Sequence, residues 1–244
     1  AFVDAKGRKD MLTMFNLSVA VTDAFMEAVK QDRQWDLVFD GCVHRTVRAR
    51  DLWDKIMRST YEYAEPGVFM VDRVNYWNNL GYCETICATN PCGEQPLPPN
   101  GACLLGSLNL TRFVVDPFEE GAAVDFDGLA ETARLAVRFL DNVIELSNYP
   151  LEVQREEALA KRRMGLGITG LADALIFLGV RYGSRESCRL AGRMMKTITH
   201  AAYEASCDLA AEKGPFPLFD AEPYTAGPFI QALPGRLQER IASV

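Results

Sequence analysis

No run of 18 or more apolar residues occurs in the 244-residue chain, so a membrane-spanning helix of ordinary length is excluded. A basic footprint is missing too. The formal net charge is -7, and Lys and Arg stand in short groups mixed with acids, so no nucleic-acid partner is expected. Cysteine is sparse and odd in number, seven in all, which argues against a secreted disulfide scaffold and fits a cytosolic protein with reduced or catalytic thiols. There is no CxxC pair, no GxSxG elbow and no Walker A loop, which removes serine hydrolases and P-loop NTPases. The two histidines, His44 and His200, have no partner at metal-ligand or triad spacing. Ala1-Phe2-Val3-Asp4 carries no signal-peptide pattern, and no repeat or clear linker divides the chain. It opens without Met and soon enters a strand-like stretch, so a piece of a longer protein is expected.

What is present alternates between strand and helix signals. Met14 to Val21 predicts a strand, and Thr22 then caps a short helix from Asp23 to Val29. A helix is expected over Asp51 to Ala64, with Leu52, Ile56, Ser59 and Tyr63 on one face and Glu65-Pro66-Gly67 ending it. Residues 65–103 are loop-rich. A strand follows over Leu104 to Val114, and Asp127 is expected to cap a long helix to Ser147, with Leu129, Ala133, Ala136, Leu140 and Ile144 as its stripe. Further helices are expected over Leu151 to Lys161, up to Leu178, and from Ser184 to Lys213, with a short strand at Met164 to Ile168. The stripe of the last helix reads Cys188, Ala191, Met195, Ile198, Ala202, Ala205 and Leu209, and Gly214 stops it. Strands alternating with long helices imply an α/β fold.

The chemistry concentrates in Asn90-Pro91-Cys92-Gly93-Glu94, followed by Cys103. In an extended loop alternate residues point the same way, so Asn90, Cys92 and Glu94 can converge on one ligand. An amide, a sulfur and a potential general base at one spot outline a reaction centre. Cys83, Cys87, Cys92 and Cys103 crowd one region, but their spacing is wrong for a zinc or iron–sulfur cluster, and no metal is expected. Cys92 and Cys103 could instead form a redox pair. Extended chain would hold them up to roughly 36–40 Å apart, so Pro96, Pro98, Pro99 and Gly101 would have to fold it back. Two buried small hydrophobes are the other reading, which leaves Asn90 and Glu94 unexplained. Cys42, Cys188 and Cys207 read as structural. Gly165-Leu166-Gly167-Ile168-Thr169-Gly170 matches G-x-G-x-x-G but follows a charged helical stretch, so a close-packed strand and turn is favoured over a dinucleotide site. Lys6-Gly7-Arg8-Lys9-Asp10 by itself reads as a solvated basic turn.

The stretch Asn90 to Val114, N-P-C-G-E-Q-P-L-P-P-N-G-A-C-L-L-G-S-L-N-L-T-R-F-V, resembles the finger loop of ribonucleotide reductase large chains. It is most similar to the class II, adenosylcobalamin-dependent enzymes; class I chains typically carry Leu where Pro91 stands. Phe15-Asn16-Leu17-Ser18-Val19, Ala64-Glu65-Pro66-Gly67, Arg163-Met164-Gly165-Leu166-Gly167 and Glu212-Lys213-Gly214-Pro215-Phe216-Pro217 agree, so the resemblance covers nearly the whole chain.

The resemblance implies a partial catalytic domain over 1–244, part of a ten-stranded α/β barrel of two parallel half-sheets. Its finger loop, about 83–103, would run through the centre, and a specificity-loop remnant would occupy about 6–13. It implies a ribonucleoside-diphosphate reductase type of enzyme in which Cys92 becomes a thiyl radical, Glu94 is the base and Asn90 binds the substrate hydroxyls. Cys103 would be one half of a redox-active disulfide whose partner lies outside this chain. Asn16 and Ser18 would contact substrate, and Lys6, Gly7, Arg8 and Lys9 would carry the effector signal. The implied cofactor is adenosylcobalamin. The implied partners are a ribonucleoside di- or triphosphate, a dNTP or ATP effector, a thioredoxin-like or dithiol reductant and a second subunit of a cytoplasmic homodimer. The chain alone is not expected to turn over. A class I large chain and a non-catalytic remnant of the same fold are the alternatives.

Overall fold

The structure, a computed structural model, describes residues 2–8 and 12–244. Lys9, expected in the effector loop, lies outside the described residues. The chain divides into two compact units, Ala1–Pro99 and Asn100–Val244.

In the first unit, β1 (Ser18–Val21) leads into α1 (Asp23–Lys30). Thr22 caps α1 as expected, its hydroxyl accepting from the Phe25 N–H at 3.1 Å, and Asp23 and Lys30 complement the helix dipole. The chain continues through β2 (Gln34–Phe39), β3 (Cys42–Arg48), α2 (Ala49–Tyr63), β4 (Gly67–Met70), α3 (Val71–Tyr76), β5 (Ala88–Thr89) and β6 (Pro96–Leu97). β1 pairs in parallel with β4, from Ser18 opposite Gly67 to Val21 opposite Met70. Val21, Phe25, Ala28, Val29 and Ala49 form the core, and the Phe25 ring meets Trp35 edge-on at 5.3 Å.

The second unit runs through β7 (Leu104–Asn109), a 3-10 turn (Leu110–Phe113), β8 (Val114–Val115), β9 (Ala123–Val124), α4 (Phe126–Leu146) and α5 (Glu152–Lys161). It continues with β10 (Met164–Thr169), α6 (Leu171–Phe177), α7 (Arg185–Lys213), α8 (Ala221–Ala226), α9 (Pro228–Gln231) and α10 (Gly235–Ala242). β10 lies parallel to β7, with Met164 opposite Leu104 and Thr169 opposite Asn109. α4 covers this pair and packs along α7, burying Leu108, Leu110, Leu129, Ala133, Met194 and Ile198 together.

Several regions differ from the sequence-based expectation, among them the strand expected over Leu104 to Val114, which ends at Asn109 where the Asn109 side chain accepts from Thr111 N–H and starts a 3-10 turn. The first strand is shorter, because Met14 and Phe15 are exposed and only residues 18–21 find a strand partner. The hairpin of β2 and β3 was not expected, although Asp40-Gly41, with φ of 50° and 71°, is the turn that suits it. α4 is capped by Asp125 rather than Asp127: the Asp125 N–H donates to Phe113 O at 2.8 Å, and its carboxylate then accepts from Gly128 N–H at 2.9 Å. The first half of α7 is turned by one residue, burying Ser187 and Met194 in place of Cys188 and Met195. Ser187 can go inside because its hydroxyl donates to Ser184 O at 2.8 Å. The glycine run at 165–170 is a strand and turn, with Gly170 at φ 69°. Among the described residues every sheet is two-stranded and none closes on itself, so the architecture is mixed α/β.

A buried ion cluster ties the second unit together. Asp141 on α4, 4% exposed, accepts from Arg162 Nε at 2.8 Å and from Lys213 Nζ at 2.9 Å. Arg162 also reaches Glu145 at 2.8 Å. One carboxylate thus joins α4, the α5–β10 junction and the end of α7. Removing one member of such a cluster strands the others. Asp141→Asn is expected to lower unfolding free energy by about 3–5 kcal/mol in urea titrations, and a loss below about 1 kcal/mol would show that the cluster is dispensable.

Candidate active site

The thiol loop is anchored from α3. Asn75 Nδ2 donates to Ile86 O at 2.9 Å, and its Oδ1 accepts from Ile86 N–H at 2.9 Å. Leu80 and Ile86 are buried beneath. β5 and β6 then pair antiparallel, Ala88 opposite Leu97 and Thr89 opposite Pro96, and carry residues 90–95 as a hairpin tip.

The tip is turned, which corrects the expectation of an extended loop. Gly93 N–H donates to Asn90 O at 3.1 Å, and Gly93 takes φ 85°. Asn90 N–H donates to Gln95 O at 3.2 Å, while Asn90 Oδ1 accepts from Gln95 N–H at 2.8 Å. Pro91, with its fixed φ, suits the position after Asn90. The amide oxygen of Asn90 is therefore used in holding the loop, and Nδ2 is the end left for a ligand. Cys92 and Glu94 are exposed, and their side chains make no hydrogen bond or ion pair to another described residue. The alternation argument no longer brings the three side chains together; the turn gathers their backbones instead.

Cys103 belongs to the second unit, just before β7. Its thiol is half-buried, and burial pushes it up while the Arg163 guanidinium acts against that. A Cβ on Gly165 would stand 2.6 Å from Leu105 Cδ2, so the glycine leaves room for that side chain, and 3.5 Å from Cys103 Sγ, an ordinary contact that places the sulfur on this face of the strand. The sequence-based reading passed over Gly165 and Arg163 as site residues; only the pairing of β10 with β7 brings them beside Cys103. Among the described residues no group of three or more His, Cys, Asp or Glu is arranged to hold a metal ion.

Asn16 is exposed, and Ser18 is half-buried at the start of β1, beside Gly67. Lys6 and Gly7 lie in a 3-10 turn, Ala5–Gly7, with Arg8 at its end. Lys6 is tied inward: its ammonium donates to Phe15 O and pairs with Glu65 Oε2 at 2.7 Å. Glu65 Oε1 also accepts from Leu17 N–H at 2.8 Å, joining residues 6, 15, 17 and 65. This partnership corrects the view of Lys6 as a purely solvated basic turn; Glu65 was read as part of a helix stop and of a family motif, not as a partner for Lys6.

The strand–helix–strand units and the turned loop define an α/β protein with a cysteine exposed at a hairpin tip. The chain belongs to the ribonucleotide reductase family, matching that family's barrel domain over residues 1–239. It is 44% identical to the vitamin B12-dependent ribonucleoside-diphosphate reductase of Mycobacterium tuberculosis (strain H37Rv), over 89% of this chain and 31% of that protein. It is 40% identical to the same-named protein of Thermoplasma acidophilum, over 85% of this chain and 27% of that protein. Against the ribonucleoside-diphosphate reductase large subunit of Caenorhabditis elegans the identity is 30%, over 86% of this chain and 30% of that protein. The chain thus spans less than a third of the length of the curated relatives it matches. Among the described residues no helix is long and apolar enough to cross a membrane.

Lys6 holds the Glu65 carboxyl below the usual carboxylate range, helped by the Leu17 N–H and opposed by partial burial. A carboxyl lowered on folding stabilises the protein above its ordinary value of 4.5, and that contribution disappears as pH falls through the lowered value. Urea unfolding followed from pH 6 downward is expected to show an acid-limb slope that Glu65→Gln flattens. An unchanged slope in the variant would assign the acid sensitivity to other carboxylates.

Proposed function

We propose that the whole protein reduces ribonucleotides to 2′-deoxyribonucleotides by a thiyl-radical mechanism. The observation that carries this is Cys92, exposed at a hairpin tip between Asn90 and Glu94, in a chain of this family. In this reading Cys92 as a thiyl radical takes the hydrogen atom from C3′. Glu94 removes the 3′-hydroxyl proton, and Asn90 Nδ2 hydrogen-bonds the substrate hydroxyls. The 2′-hydroxyl leaves as water. A dithiol, of which Cys103 is one half, supplies two electrons and two protons and becomes a disulfide, and Cys92 returns the hydrogen atom to C3′. Ribonucleotide plus dithiol thus gives deoxyribonucleotide, disulfide and water.

The names of the relatives from Mycobacterium tuberculosis and Thermoplasma acidophilum support adenosylcobalamin as the radical source. An exposed tip thiol with no hydrogen bond to another described residue fits approach by so large a group. When bound, the cofactor supplies the one-electron oxidising equivalent that a resting thiol lacks. In the same reading residues 1–244 form part of a ten-stranded barrel, with 83–103 as finger loop and 6–13 as remnant of the specificity loop. Asn16 and Ser18 contact substrate, and Lys6, Gly7, Arg8 and Lys9 answer a dNTP or ATP effector. The whole protein works as a cytoplasmic homodimer with a thioredoxin-like or dithiol reductant.

The test is ribonucleotide reduction by the whole protein with a dithiol, with and without adenosylcobalamin. Product is expected only with the cofactor. Cys92→Ser should lower turnover by on the order of a thousandfold or more, and Glu94→Gln by about 10²–10⁴. Cofactor-independent turnover would point to a radical delivered by a partner subunit, and activity surviving in Cys92→Ser would refute the thiyl step.

A further inference from the structure

We propose that Arg163 is a positioning residue for Cys103: from the face of β10 that borders the sulfur, its guanidinium stabilises the Cys103 thiolate. The proposal rests on the reading of Cys103 as half of the reductive dithiol. It gives Arg163 a function that the family resemblance alone leaves as a motif letter.

The geometry comes from the parallel pair. Leu104 N–H donates to Arg163 O at 3.4 Å, and Met164 stands opposite Leu104, so Cys103 and Arg163 meet one step before the strands begin. Residues two apart on extended chain share a face, which puts Arg163 and Gly165 on one side. Cys103 Sγ lies on that side, 3.5 Å from where a Gly165 Cβ would stand. Arg162, the neighbour on the other side of the turn, is held at φ 47° with its guanidinium on Asp141 and Glu145. That anchor fixes the backbone from which Arg163 projects. Among the described residues Arg163 is the charged group that acts on the thiol.

Half-burial raises the cost of a thiolate, and a fixed cation offsets it. The state matters when the disulfide is reduced again. A dithiol reductant's thiolate bonds to the partner sulfur, the Cys103–partner S–S bond breaks, and Cys103 leaves with the electron pair. A thiol of lower pKa leaves faster. Arg163 therefore eases the step that resets the enzyme, without touching the substrate.

The experiment is the pH dependence of Cys103 alkylation by iodoacetamide on the intact protein, read by peptide mass spectrometry. The other cysteines are resolved by peptide, and buried Cys207 serves as a fold control. Arg163→Gln is expected to move the Cys103 midpoint upward and to slow alkylation at neutral pH about three- to tenfold, while Arg163→Lys keeps the midpoint near that of the parent. An unmoved midpoint in Arg163→Gln overturns the proposal. Should that variant expose Cys207 to the reagent, Arg163→Lys decides, a retained midpoint supporting the proposal and a raised one overturning it. The parent reading is tested separately by turnover of Cys103→Ser with a dithiol reductant. Loss of turnover there, with no midpoint shift in Arg163→Gln, would remove the Arg163 proposal and leave the dithiol assignment standing.

Discussion

The buried carboxylate of Asp141 is the constraint on which the second unit turns. A charge that deep is tolerable only when its lone pairs are met, and Arg162 and Lys213 meet them from two different elements. Three consequences follow. The end of α7 is held against α4, so the long helix keeps its register along the sheet. The chain reverses at Arg162 in a left-handed conformation that a side chain otherwise avoids. β10 therefore starts beside β7 with Arg163 and Gly165 next to Cys103. The Lys213-Gly214-Pro215-Phe216 segment thereby acquires a physical meaning: the lysine ends the helix on a carboxylate, and Gly214 at φ 87° lets the chain turn away.

The first unit uses a smaller version of the same device. Glu65, just past α2, takes the Leu17 N–H and the Lys6 ammonium, and Gly67 N–H donates to Leu17 O at 2.8 Å. Two stretches almost fifty residues apart are thereby set side by side as β1 and β4. Further along, Asn75 clamps Ile86, and the β5–β6 hairpin rises from that clamp to carry Cys92. In both units polar side chains set the backbone and apolar ones fill behind them. Cys92 is exposed at a tip, whereas Cys103 is sheltered beside a strand pair. Under the proposed function that difference suits a residue that must meet substrate and a residue that only exchanges electrons.

Much of this was legible in the residues. The Thr22 cap, the stripe of α4, the stop at Gly214 and the strand and turn of the glycine run all follow from local periodicity and turn chemistry, which act within a few residues. The same local rules failed where a distant partner intervened. Asp127 has the right chemistry for a cap, but Asp125 is the residue fixed by Phe113. Cys188 has the right hydropathy for a core, but Ser187 satisfies its own hydroxyl and is buried instead. The hairpin at 34–48 was overlooked because its residues are mostly exposed and show little alternation, although Asp40-Gly41 marks its turn.

By itself the sequence singled out Asn90, Cys92 and Glu94 as candidates, because a thiol flanked by an amide and a carboxylate is chemistry visible in the order of residues, and the family resemblance added Cys103 to the proposed set. It also determined the family, through motifs that extend along nearly the whole chain. Tertiary structure alone decided that the tip is a turn rather than an extended loop, that Lys6 faces Glu65, and that Arg163 and Gly165 border the Cys103 sulfur. The physical reason is the same in each case. Hydrogen bonds and ion pairs between residues far apart in the chain depend on strand register and helix packing, which no local pattern encodes.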